Sequence, residues 1–426
     1  MGIQRIAILS VHTSPLATPG GKKVGGMNVY VRELARELGQ RGVYVDIFTR
    51  RESPTQPEVD RSIGANVRVI HITAGGAVPL EPMDVYPHLQ QFTSGVIAFA
   101  TREFRLTYDM IYAHYWLSGW VAYKLNEVWG TPFVQMFHTL GHMKNRIDTR
   151  ISGLRLPDVR ITTETQIMNW ADGIIAATPA EQAQLLWLYR ADRRKIAIVP
   201  PGVDDQRFRP VERSVARQML DIESDEKLLL FVGRIEPLKA VDTILEALHL
   251  LKQSSPESLQ KTRLAIIGGN PEDLANDAEL ARLIELTKAL ELTDIVEFLG
   301  AKDQHLLPAY YAAATAVIMP SDYESFGMVA LEAMASGTPV IATYVGGLAY
   351  LVRDNETGFL VPVREPSALA DRIRILITES ETQARLGRNA AELARKYAWG
   401  QIADQILAVF EDVLIRRNRN LVGQRV

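Results

Sequence analysis

The sequence predicts an α/β protein built as two doubly wound parallel-sheet domains in tandem, and three observations carry that expectation. At 426 residues the chain exceeds what one hydrophobic core usually organises, and about 150 residues per domain gives two or three domains, with two large ones as the working number. Short Val- and Ile-rich runs, unalternated as strands buried on both faces are, recur between segments of helical period. The turn Pro200-Pro201-Gly202 and the polar stretch "VDDQRFRPVE" then divide these runs into two series.

In the first series, "RIAILSVH" (5–12) is a strand. "MNVYVRELARELGQRG" (27–42) follows as an amphipathic helix stopped at Gly42. The β-branched and aromatic content of "VYVDIFTR" (43–50), "VRVIHI" (67–72), "MIYAHY" (110–115), "FVQMFHT" (133–139), "GIIAAT" (173–178) and "IAIVPPG" (196–202) makes each a buried strand. The second series runs "KLLLFVGR" (227–234), "RLAIIGG" (263–269), "IVEFLG" (295–300), "AVIMPS" (316–321), "PVIAT" (339–343) and "GFLVP" (358–362). "LARKYAWGQIADQILAVFEDVLIRR" (393–417) reads as one long helix or two, kinked near Gly400. Domain limits of 1–200 and 201–395, with a terminal helical segment 396–426, follow. Open parallel sheets bind ligands beyond the carboxyl ends of their strands, so a cleft between the two sheets is where chemistry is expected.

Composition excludes several classes. With 47% hydrophobic and 23% charged residues the chain is globular. A formal net charge of −3 with interspersed signs gives no basic face for nucleic acid. There is no cysteine, which removes disulfides, thiolate metal sites and thiol nucleophiles. "MGIQRIAILSVH" enters a strand directly, without the apolar stretch of a signal peptide, and no run approaches the roughly 18 residues of a membrane span. A cytoplasmic protein is the expectation. The basic "IRRNRNLVGQR" (415–425) is a solvated helix end or a peripheral contact with an anionic membrane. Oligomeric state is left open.

Four constellations carry chemistry. In "PSDYESFGMVALEAMASGTPVI" (320–341) a polar turn leads into a helix expected from about Phe326 to Ser336 and closed by Gly337. Its unpaired amides at Phe326, Gly327, Met328 and Val329, at the positive end of the dipole, form an anion site suited to a diphosphate. Glu332 lies more than a turn inside, able to accept from a vicinal diol such as a ribose, while Glu324 precedes the helix, nearer the reacting end of a ligand. The plainer alternative is a dipole-offsetting Glu324 and a solvated Glu332, but apolar neighbours argue for burial of Glu332, and a buried carboxylate needs a partner. In "GRIEPLK", Arg234 and Lys239 can offset the charge on a departing diphosphate, or Arg234 can form a surface pair with Glu236. "GGKKVGGMNVYV" (20–31) lacks the Gly-Lys-Ser/Thr ending of a nucleotide-triphosphate loop, though Gly25-Gly26 allow close backbone approach. His138 and Thr139, with Tyr115 and with Arg160 just before a helix carrying Glu164, gather polar groups at strand ends of the first domain. His138 either bonds a sugar hydroxyl or is satisfied by local backbone. The remaining histidines show no metal-ligand spacing, and no Gly-x-Ser-x-Gly or Gly-x-Gly-x-x-Gly is placed for hydrolase or dehydrogenase chemistry.

Taken together, the Glu324-x7-Glu332 pattern, "GRIEPLK" and "GGMNVYVRELA" resemble the retaining family-4 (group 1) glycosyltransferases of GT-B fold, over essentially the whole chain. "HTSPL", "AHYWLSG" and "GRIEPLKA" sit nearest the inositol-phosphate branch of that family, with sucrose-phosphate synthases more distant. The resemblance implies two Rossmann-like domains and a C-terminal helix that crosses back to the first. It implies a nucleotide-sugar donor, UDP-glucose or UDP-N-acetylglucosamine, a small hydroxylated or phosphorylated acceptor, no cofactor and no metal. By that likeness Arg234 and Lys239 hold the diphosphate, Glu332 the ribose, and Glu324 with the Ser325–Met328 amides the sugar and phosphates. His138 bonds the sugar near the reacting carbon, Lys302 lies in the segment that reads the base, and Gly26 packs at the phosphates. Asn28, Tyr115, Thr139 and Arg160 fall on the acceptor side, whose phosphate the branch holds with a Lys, a Tyr, a Thr and an Arg. Pro82 stands where the lysine is expected. Transfer to fructose 6-phosphate, glucosyl or mannosyl transfer to a lipid or polysaccharide, and a non-catalytic sugar-nucleotide sensor are the competing readings.

Overall fold

The computed structural model describes residues 2–17, 25–103, 107–143, 145, 158–272 and 274–423. The "GGKKV" stretch (20–24) and the last two residues of the basic tail lie outside the described residues. The chain divides into two compact units, one holding the sequence up to Pro200 together with Trp399 onward, the other Pro201–Ala398.

The first unit is built on β1 (Arg5–Leu9), β2 (Tyr44–Arg50), β3 (Val59–Asp60), β4 (Val67–Ile72), β5 (Met110–His114), β6 (Phe133–Met136), β7 (Gly173–Ala176) and β8 (Ile196–Ile198), in the order β3-β4-β2-β1-β5-β6-β7-β8. All neighbours pair in parallel except the two-residue edge strand β3, antiparallel to β4. Every residue of β5, β6 and β7 is buried, as helices on both faces require, and this is why the strands read as unalternated apolar runs. The second unit holds β9 (Lys227–Val232), β10 (Thr262–Ile267), β11 (Val296–Gly300), β12 (Ala316–Met319), β13 (Val340–Thr343) and β14 (Gly358–Val361), ordered β11-β10-β9-β12-β13-β14 and wholly parallel.

Leaving aside the short antiparallel edge strand β3, the strand order of each unit reverses at one point, between β1 and β5 in the first and between β9 and β12 in the second. The loops leaving those strands flank the crevice where doubly wound sheets bind ligands. Arg234 and Lys239 follow β9, Glu324 follows β12, and Tyr115 follows β5.

Three boundaries differ from the sequence expectation. The glutamate-bearing helix is Met328–Ala335, not 326–336, because Gly327 turns left-handed (φ 102) as its N-cap. Arg160 lies in the first turn of the helix Asp158–Trp170, not before it. The C-terminal break falls at a 3-10 turn, Arg395–Tyr397, and Gly400 sits inside the following helix Trp399–Gly423. That helix packs on the first unit, with Trp399 edge-on to Tyr30 at 5.4 Å and Phe410 to Tyr112 at 5.2 Å. Among the described residues no helix is long and apolar enough to cross a membrane.

Candidate active site

In the second unit, backbone packing places the charged residues. Gly268 crosses β9's exit so closely that a Cβ there would lie 1.8 Å from the Gly233 carbonyl. After Gly233 the chain makes a 3-10 turn, Pro237–Lys239, closed by the Lys239 amide on the Glu236 carbonyl at 2.8 Å. The loop after β12 is tied to this turn by the Asp322 amide on the Leu238 carbonyl at 2.9 Å. Its far side rests on Gly346 and Gly347: the Gly347 amide donates to the Glu324 carbonyl at 2.9 Å, and a Cβ at Gly346 would fall 2.0 Å from that same oxygen. Two loops distant in sequence are thereby fixed side by side.

Lys239 Nζ lies 2.5 Å from Glu324 Oε2, with each side chain 17% exposed. The sequence had set these residues to separate tasks; the structure joins them as an ion pair that still reaches solvent. Arg234 is half exposed and pairs with Glu236 at 2.8 Å, the plainer of its two sequence readings. Beside them, the N-cap of Met328–Ala335 is Gly327, which has no side chain to cap the first turn, and helix-start amides of this kind suit an anion. Ser325 is part-buried ahead of this turn and Phe326 buried beneath it. Met328 and Val329 are part-buried on it. Glu332 is buried, as its apolar neighbours predict, and accepts from the Tyr311 hydroxyl at 2.9 Å. Burial and this carboxylate push the Tyr311 pKa well up. Lys302 is part-buried just past β11.

The first unit gathers neutral rings instead. His138 adopts φ 60, a left-handed conformation, in a three-residue turn closed by the Thr139 amide on the Phe137 carbonyl at 2.7 Å. Its Nε2 lies 2.9 Å from Nδ1 of buried His114, and Tyr30 meets both rings edge-on, at 5.3 and 5.4 Å. Burial, with a smaller contribution from His12, pushes the His138 pKa down to about 3, and burial then His138 push His114 well below its ordinary range. Both rings are neutral near pH 7. His138 therefore suits hydrogen bonding to a hydroxyl better than proton exchange.

Tyr115, Thr139 and Arg160 do converge. The Arg160 guanidinium lies 4.9 Å over the Tyr115 ring, and its Nη2 donates to the Thr139 carbonyl at 2.9 Å and hydroxyl at 3.1 Å. Its Nε donates to Glu164 at 2.8 Å, a carboxylate that also accepts from the Gly141 amide and the Tyr189 hydroxyl. Asn28 is differently placed. Its buried amide donates to the Thr13 hydroxyl and Ser14 carbonyl at 2.6 and 2.7 Å, and its oxygen accepts from the Gly25 amide at 3.1 Å. These bonds tie the loop after β1 to the helix that begins at Gly26, which is itself exposed. Pro82 opens the short helix Pro82–Val85.

Sequence reading passed over Arg364, Tyr311 and Asp322, all engaged with the charged loops or with Glu332. Only their neighbourhood in space singles them out. Among the described residues no group of three or more His, Asp or Glu is placed to hold a metal.

Residues 24–207 match the model of Glycosyltransferase Family 4, and residues 212–393 that of Glycosyl transferases group 1. A D-inositol 3-phosphate glycosyltransferase 2 of Catenulispora acidiphila is 41% identical over 424 residues, spanning 98% of both chains. The chain belongs to the group 1 glycosyltransferases. Among solved structures, sucrose-phosphate synthase from Thermosynechococcus elongatus superposes with a TM-score of 0.86 at 32% identity, covering 97% of this glycosyltransferase and 100% of that chain. HepE of Anabaena, solved in complex with UDP-glucose, shares the fold with a TM-score of 0.73 at 20% identity, covering 96% of this chain and 99% of that one.

Proposed function

We propose that this glycosyltransferase moves a hexose from a UDP-sugar, UDP-N-acetylglucosamine or UDP-glucose, to a hydroxyl of a small phosphorylated acceptor, with retention at the anomeric carbon. The observation that carries the donor half is the Lys239–Glu324 pair beside an uncapped helix start, with Glu332 buried in the same helix. In this reading the diphosphate takes over part of Lys239's charge and the helix-start amides, Arg234 swings from Glu236 to join it, and the ribose diol donates to Glu332. The sugar's C1–O bond to the β-phosphate breaks as the acceptor oxygen bonds C1 on the same face, and the acceptor proton passes to the departing diphosphate. Lysine, arginine and amides stabilise the charge that grows there, so no resident metal is needed, and turnover is expected to survive EDTA.

The acceptor half rests on Arg160, Thr139 and Tyr115, a cation that bonds the Thr139 hydroxyl and lies over the Tyr115 ring, the kind of group that meets a phosphate. Inositol phosphate is the first acceptor to try, given the relatives' names. Pro82, in place of a lysine, favours testing fructose 6-phosphate beside it, as does the likeness to sucrose-phosphate synthase. The deciding experiment is calorimetric titration with UDP, GDP and ADP, then with the two UDP-sugars, followed by NMR of the product's anomeric proton with each acceptor. Selective UDP binding and a retained anomer support the reading. Failure to bind any nucleotide, or an inverted product, overturns it.

A further inference from the structure

Arg364 lies two residues beyond the proline that follows β14, with φ 57, a left-handed conformation uncommon outside glycine. Its guanidinium serves three segments at once. Nε and Nη2 form a fork on Asp322, at 2.8 and 2.7 Å, Nη1 donates to Asp242 Oδ1 at 2.8 Å, and Nη2 also reaches the Pro237 carbonyl at 3.0 Å. The other Asp242 oxygen is held by Arg282 at 3.0 Å. Pro237 is two residues before Lys239, and Asp322 two before Glu324.

We propose that Arg364 is a positioning residue for the donor diphosphate, locking the turn that carries Lys239 against the loop that carries Glu324; this rests on the reading of that pair as the donor site. A planar fork with five donors satisfies Asp322, Asp242 and Pro237 together, which an ammonium on a flexible stem does not. The side chain is 39% exposed. Ion pairs so placed add little to global stability, and their usefulness here is geometric. A displaced lysine loses its aim at the diphosphate, and small misplacements in transfer sites carry large kinetic costs.

The test compares wild type, Arg364→Lys, Asp322→Asn, Lys239→Ala and the double variant Arg364→Lys/Lys239→Ala by UDP titration, donor KM, kcat and melting temperature. Arg364→Lys and Asp322→Asn are each expected to weaken UDP binding and raise donor KM about tenfold with an unchanged melting temperature, and Arg364→Lys to add no further loss once Lys239 is gone. UDP affinity in Arg364→Lys equal to wild type, an equal loss with and without Lys239, or a loss that tracks a lowered melting temperature overturns the inference while leaving the donor site standing. Wild-type protein that binds no UDP overturns the donor reading, and this inference with it.

Discussion

Two ion pairs, one in each unit, show how similar chemistry is put to different uses. Lys239–Glu324 is reached by solvent, 17% exposed on each side chain, whereas Arg160–Glu164 is 4% and 0% exposed. Glu164 is further engaged by the Gly141 amide and the Tyr189 hydroxyl, so Arg160 cannot exchange it for a ligand without stranding a buried carboxylate. Lys239 can, because water can take its place on Glu324 while a phosphate oxygen takes the carboxylate's place on Lys239. The first pair is a charge on offer. The second is a fixed scaffold whose Nη2 holds Thr139 and whose flat face lies on Tyr115.

Arg160→Met is the largest break in this comparison. Removing one partner of a buried pair leaves Glu164 uncompensated, and about 3–5 kcal/mol of stability is expected to go. Urea unfolding measures it. A loss below roughly 1 kcal/mol, the range of an exposed pair, would place Arg160 with Lys239 and erase the contrast.

Acid is expected to act next on the first unit, through buried groups of opposite sign. His138, with a folded pKa of about 3 against about 6.5 when unfolded, binds fewer protons in the fold at any pH between. Its stabilising contribution is therefore complete above 6.5 and lost as pH falls, on the order of 2 kcal/mol by pH 5. His114 acts in the same direction. Glu181 acts oppositely: burial raises its carboxyl to about 7, so the fold gains relative stability as pH drops from 7 toward the ordinary carboxyl range. Glu181→Gln removes that offset. Its unfolding free energy is expected to fall more steeply than that of wild type between pH 7 and 5, and parallel profiles would mean that burial does not raise the Glu181 carboxyl.

The sequence showed the scaffold better than the contacts. Strands such as β5, β6 and β12 announced themselves because full burial on both faces leaves an unbroken apolar run, whereas the two-residue β3 has no pattern to show. Glu332 was readable because an acid among Ala330, Leu331, Ala333 and Met334 is out of place; its phenolic partner was not, since Tyr311 lies 21 positions away. Lys239 and Glu324 were each singled out as candidate donor residues, but their pairing spans 85 positions, and the Arg364 contacts span 42 to 127. Such bonds follow no helical or strand period. The switch point between β9 and β12 brings the Lys239 and Glu324 loops together, and Arg364 reaches them from beyond β14 at the sheet edge.

Lys239→Ala sharpens the comparison from the other side. It removes a charge-assisted contact worth roughly 1.5–3 kcal/mol, hence about ten- to 150-fold in kcat/KM. The pair's exposure predicts only a small change in melting temperature. Unchanged kinetics would end its diphosphate role, and a collapse in stability would make the pair a scaffold like Arg160–Glu164.

The smallest effect belongs to Tyr311→Phe, which probes whether the second unit's buried carboxylate behaves like Glu164 or like Glu324. Tyr311 is fully buried and its hydroxyl donates to Glu332 Oε2. Removing it deletes one hydrogen bond to a charged acceptor while keeping the ring's packing, a loss of about 1–2 kcal/mol. If Glu332 is aimed at a ribose, that loss should divide between stability and UDP affinity, the latter weakening severalfold, because a carboxylate no longer held on one oxygen must be ordered by the ligand itself. Glu332→Ala should then weaken UDP more, and the double variant no more than Glu332→Ala alone. A loss seen wholly in unfolding, with calorimetric UDP affinity intact, would instead make Tyr311–Glu332 a structural pair of the Arg160–Glu164 kind and leave Lys239–Glu324 as the second unit's exchangeable charge.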